Sequence, residues 1–112
     1  MSSNTYTNAK AVLRGNTTIY TAPSAGTSIV KSIRVSNIEE SNDRDITLTV
    51  TDSSSVVYYL EINRTIQKGS SQELLNSYSF STSPIILKSS EILKATTTGS
   101  DVHIIVSILE MT

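Results

Sequence analysis

A single histidine, His103, is the side chain in this sequence best suited to proton transfer at neutral pH. A catalytic base needs a nucleophile and an orienting carboxylate beside it. Serines are abundant, so such a pairing is easy to draw, yet no G-x-S-x-G elbow supports it. One histidine also excludes H-E-x-x-H and every paired-His metal cluster, and the absence of cysteine excludes thiolate sites and disulfides. His103 alternates with Ile105 and Ser107 and reads as a surface or interface residue of a strand.

The acidic run Glu39, Glu40, Asp43 and Asp45 is the other cluster with ligand chemistry. Its spacing lacks the central Gly and distal Glu of an EF-hand loop, so it reads as a solvated loop tip. A glycosidase needs two carboxylates across a cleft, and no acidic residue here sits in an aromatic setting. No catalytic residue, metal site or cofactor is therefore expected. Sugar-binding sheets display aromatic platforms. This chain has no Trp, one Phe and five Tyr, and its adjacent pair, Tyr58-Tyr59, points to opposite faces of a strand. Tyr58 is expected in the core and Tyr59 outside, as a contact residue.

The elements that must carry these residues read as strands. Thr, Val and Ile dominate, which suits a pleated, half-buried surface. Ile46, Leu48 and Val50 alternate with Thr47, Thr49 and Thr51: one dry face and one wet face. Asp52–Ser55 reads as a turn, and Val56, Tyr58, Leu60 and Ile62 return on one face, predicting an antiparallel hairpin. Val102, Ile104, Val106 and Ile108 alternate with a second, partly apolar set, so this strand is expected to be covered on both sides. Shorter strands are expected at 10–13, 17–21, 28–37 (with Ile29, Ile33 and Val35 in phase), 84–88 and 91–95. Ser71–Leu75 contains good helix formers and is expected to hold one helical turn. About eight strands at regular spacing predict an all-β fold, an antiparallel β-sandwich of jelly-roll type.

With 112 residues the chain makes one domain, able to remove roughly 65% of its unfolded surface from water. The expected division is a polar N-terminal arm, 1–8, ahead of a single sandwich domain, 9–112. A net charge of -1 gives no electrostatic reason to approach nucleic acid or an anionic membrane. Met1–Thr5 lacks the basic and apolar regions of a secretory signal, and no run approaches the ~20 apolar residues of a transmembrane helix. Synthesis and retention in the cytoplasm of the producing cell are expected.

The stretch TTIYTAPSAGTSIVKSIRVSN, residues 17–37, resembles a strand–turn–strand element of small β-sandwich virion proteins of tailed bacteriophages. Residues 85–95, IILKSSEILKA, resemble the hairpin of the same group, in which a small turn and an acidic residue separate two Leu-bearing strands. Residues 102–110, ending in S-I-L-E, resemble its closing strand. Ser90 is a departure, since related chains tend to carry Gly before the acidic residue. The resemblance implies a non-enzymatic structural role in the virion. The favoured expectation is a head decoration or cement protein, homo-oligomeric and bound to the major capsid protein. A neck, tail or baseplate component, with neck or tail proteins as partners, is the alternative. A carbohydrate- or receptor-binding module is a further one. Neutral Ser/Thr faces can join copies without charge repulsion. Tyr6 on the arm, Tyr59 and His103 are the candidate assembly contacts.

Overall fold

The computed structural model describes residues 4–75, 84–99 and 101–111. Its strands are β1 (Asn4–Leu13), β2 (Asn16–Thr21), β3 (Thr27–Asn37), β4 (Arg44–Thr51), β5 (Val57–Ile66), β6 (Ser70–Glu73), β7 (Ile85–Leu87), β8 (Ile92–Thr97) and β9 (Val102–Met111). Sheet A runs β1-β9-β3, with β6 and β7 on the far side of β3; sheet B runs β2-β8-β4-β5. β6 pairs with Arg34–Asn37 and β7 with Ser28–Val30, so the two short strands share one position. The nine strands thus occupy the eight positions of a jelly roll, and every pairing is antiparallel.

The chain changes sheet at almost every connection, and β4–β5 is the one pair of sequence neighbours that bond to each other among the described residues. The hairpin expected over 85–95 is therefore not a hairpin. β7 and β8 lie in opposite sheets, joined by a turn at Lys88–Glu91. The stretch between β2 and β3 is a second sheet-crossing corner. The two corners bond to each other, Ala22 N–H to the Glu91 carbonyl (2.9 Å) and Ser90 N–H to the Ala22 carbonyl (3.2 Å).

Inward positions of both sheets form the core: Val30, Ile33 and Val35 of β3, Ile46, Leu48 and Val50 of β4, Leu93 and Ala95 of β8, and Val102 to Ile108 at alternate positions of β9. A bulge between Val30 and Ser32 shifts the phase of β3, so Ile29 lies outside rather than with Ile33 and Val35. Residues 4–8, read from sequence as part of an arm, form the first half of β1 and pair with Ser107–Met111. The helical turn expected at Ser71–Leu75 is replaced by β6. Pairing with β3 outweighs a helix propensity of a few tenths of a kcal/mol per residue. The outer side of β9 is open rather than covered: Ile105 is exposed and His103 half-exposed.

Where β6 ends and β7 has not begun, one side chain and one backbone amide complete the backbone bonding of β3. The Glu73 carboxylate accepts the Ile33 N–H at 2.7 Å, and the Ile33 carbonyl accepts the Leu74 N–H at 2.8 Å. Ile33 is fully buried, so both groups need a partner. At the end of β3 the buried Asn37 amide donates to the Asn42 and Ile66 carbonyls and accepts the Glu39 N–H. It ties β3, the following loop and β5 together.

Candidate assembly surfaces

The outer face of sheet A carries two of the three sequence candidates. Pairing sets Tyr6 beside Leu109, Leu109 beside Ile29 and Ile29 beside Ile86. These four form an apolar row across the whole sheet, with Tyr6 77% exposed at one end and Ile86 56% exposed at the other. The bulge in β3 is what brings Ile29 into this row. His103 lies in a different row, between Val12 and Ser36. It is six residues from Leu109 along β9, roughly 20 Å at about 3.3 Å per residue. Between the two rows lie Lys10, Ile105 and Arg34. Tyr6 and His103 therefore share a face but not a site.

Tyr59 belongs to the opposite surface. The outer face of sheet B is built of cross-strand rows: Asn16, Thr96 and Thr47; then Thr18, Lys94, Thr49 and Tyr59; then Thr21, Ile92, Thr51 and Val57. Asn16, Thr47, Thr49, Thr51, Lys94 and Thr96 floor an open trough of about 480 Å³, with Val57, Tyr59 and Ile62 along its β5 wall. The three threonines of β4 project here because Ile46, Leu48 and Val50 project inward. Asn63 sits at positive φ (49°) in a bulge and donates its N–H to the Thr47 hydroxyl at 3.0 Å. The floor is polar and uncharged except for Lys94. It can offer hydroxyl and amide hydrogen bonds beside one aromatic wall.

β5 departs most from the sequence reading. Register shifts opposite Leu48 insert Leu60 into the strand and break its alternation. The face expected from Val56, Tyr58, Leu60 and Ile62 is therefore not continuous. Tyr58, expected in the core, is 56% exposed, and Tyr59 on the other side is 62% exposed. Nothing in the local sequence marks the bulge. An unbroken alternation over 56–62 is what concealed it.

The charged groups are arranged for structure. Arg44 holds Glu39 in a two-pronged ion pair, and its guanidinium lies where a Cβ on Gly99 would stand. The hydrogen bond from Arg44 holds the Glu39 carboxyl below its usual range. Across the sandwich, the Tyr20 hydroxyl is bonded to Glu110 and lies 2.9 Å from Ser28 Oγ. Burial first, and then the bond to Glu110, push the Tyr20 hydroxyl up to about 12. Among the described residues no group of three or more acidic or histidine side chains is placed to hold a metal ion. No helix there is long and apolar enough to cross a membrane.

No family model matches the chain, and no curated protein matches it. Solved structures do. A chain of the acid-stable capsid of Helicobacter pylori bacteriophage KHP30 is 14% identical, with TM-score 0.50, over 100% of this chain and 94% of that one. A pentameric capsid protein from metagenomic phage sequences gives TM-score 0.42 at 19% identity, over 92% of this chain and 60% of that one. A chain from infectious bursal disease virus, Gt strain, gives TM-score 0.44 at 10% identity, over 99% of this chain and 32% of that one. The likeness to the KHP30 chain is a likeness of fold, and it runs the length of both chains.

Proposed function

We propose that this chain is a non-enzymatic structural protein of a tailed-phage virion, a head decoration or cement protein that stabilises the capsid. The observation that carries the reading is the end-to-end correspondence with one chain of a phage capsid structure. The correspondence takes in 100% of this chain and 94% of that one, so little of either is left over. Fold alone does not assign function. The surface of this molecule adds support, because its apolar rows and polar trough are broad, open and suited to lateral contact rather than to enclosing a reacting molecule.

In this role the chain works in the virion after synthesis in the host cytoplasm. It is homo-oligomeric and contacts the major capsid protein, with Tyr6, Tyr59 and His103 among the contacts and no nucleic acid or membrane as partner. The segment 1–8 contributes to assembly through Tyr6, which extends the outer apolar row of sheet A. Quantitative mass spectrometry of purified particles tests this. Hundreds of copies per virion, and loss of heat resistance in particles stripped of the protein, are expected. A few dozen copies or fewer would move it to the neck, tail or baseplate. Absence from particles would end the reading.

The sheet B trough favours a second reading, a carbohydrate- or receptor-binding module. Tyr59 would stack on a sugar ring while Asn16, Asn63 and Lys94 bond its hydroxyls. Titration with neutral oligosaccharides tests it: saturable binding that Tyr59→Ala abolishes would support this reading over the first.

A further inference from the structure

Eleven large apolar residues are exposed among those described, and six of them fall within seven consecutive positions, Val56 to Ile62. They lie on both faces of β5 and in the turn before it. β5 is the outer strand of sheet B and pairs only with β4, so its other backbone edge has no strand partner among the described residues. Natural proteins guard such edges with charge, proline, bulges or short length. β1 carries Lys10 at mid-strand, β2 is short and bulged, and β7 follows Pro84. Val56–Leu60 has no charge and no proline, and the register shifts of β5 begin only at Leu60.

The size of the strip points to a protein partner. An aromatic side chain alone offers about 150–250 Å². At their observed exposures the six residues together leave roughly 600 Å² in water, against about 800 Å² per partner in a standard stable interface.

We infer that this strip is covered by the same strip of a second copy of the chain, the two β5 strands running antiparallel about a two-fold axis near Tyr58. Charge selects this arrangement. Asp52 lies before the strip, and the Glu61–Arg64 ion pair (2.6 Å) lies at its end. Antiparallel packing brings each Asp52 toward the partner's neutral ion pair, whereas parallel packing would set two Asp52 carboxylates side by side. The uncharged centre lets Tyr58 meet Tyr58 without repulsion. Such a contact is isologous and closes on itself. It goes beyond the virion reading and needs no particle to form.

The test uses the full-length chain in solution. Sedimentation equilibrium at micromolar concentration should give a dimer. Tyr58→Glu, which places like charges at the axis, should give a monomer with an unchanged circular dichroism spectrum, and Tyr58→Phe should stay dimeric. Because the chain has no cysteine, Tyr58→Cys offers a second route that does not depend on disrupting the contact. Mild oxidation should link it into a disulfide dimer, while Tyr6→Cys, on the other sheet, should stay unlinked. A monomeric wild type, an odd-numbered ring, or equal cross-linking at positions 58 and 6 would overturn the inference. Dimerisation without binding to capsids would leave the inference standing and sink the cement role. Capsid binding by a monomer would do the reverse.

Discussion

The Tyr20 hydroxyl on β2 donates a hydrogen bond to the Glu110 carboxylate on β9, joining the two sheets beside the corner where the chain crosses between them. Ser28, buried on the inner side of β3, lies 2.9 Å from the same hydroxyl. Tyr20→Phe keeps the ring and removes the link. It leaves a carboxylate and a buried hydroxyl without their partner, a loss of about 1–3 kcal/mol. Urea unfolding of the two proteins measures it, and equal midpoints would show that the link adds nothing.

The same pair sets an alkaline limit. The Tyr20 hydroxyl is raised from about 10 to about 12 in the folded state, so the folded protein holds this proton more tightly than the unfolded chain. Its contribution is complete below about pH 10 and is lost as pH rises from about 10 toward 12. An absorbance titration of tyrosinate should show a late step near pH 12 from Tyr20 in the wild type, and this step should vanish in Tyr20→Phe.

Ser90 occupies the left-handed region, φ 65°, in the Lys88–Glu91 turn. The turn forms despite the departure from glycine. The Glu91 N–H reaches the Lys88 carbonyl at 3.1 Å, and the Glu91 carboxylate accepts the Lys88 N–H at 2.7 Å. A non-glycine residue there costs about 1–2 kcal/mol, partly offset by the greater unfolded freedom of glycine. Ser90→Gly should therefore raise stability, by up to about 1 kcal/mol. A fall in melting temperature would show that the serine side chain contributes more than its backbone strain costs.

On β4, Leu48→Ala opens a cavity in the core and should cost about 2–5 kcal/mol. Thr49→Ala removes an outward hydroxyl above the trough and should cost under about 1 kcal/mol. Denaturant melts that ranked the two the other way would mean that the strand is shifted by one residue.

Glu73→Ala strips the acceptor from the Ile33 N–H in the gap between β6 and β7. A buried donor left unmet costs about 1–3 kcal/mol. Glu73→Gln keeps an acceptor and should recover most of the loss. Hydrogen exchange at the Ile33 amide reads this site directly: it should quicken in the alanine variant well before the glutamine one.

The sequence by itself determined that the fold is all β, where most strands lie, and which face of β4 is dry. Alternation of Ile46, Leu48 and Val50 with threonines, and of Val102 to Ile108 along β9, records a local period that each strand carries whatever it pairs with. Tyr59 and His103 were legible as strand residues facing out, and Tyr6 only as a residue of a polar arm; its place in β1 comes from pairing with β9. Only the tertiary structure decided that the three lie on two different faces. It also decided that neighbouring strands mostly part into opposite sheets, that residues 71–73 extend rather than coil, and that bulges turn Ile29 outward and break the face of β5. Those features depend on partners dozens of residues away. A strand's edge meets its neighbour through backbone groups that every residue shares, so the side chains of one segment hold little record of which segment it will meet.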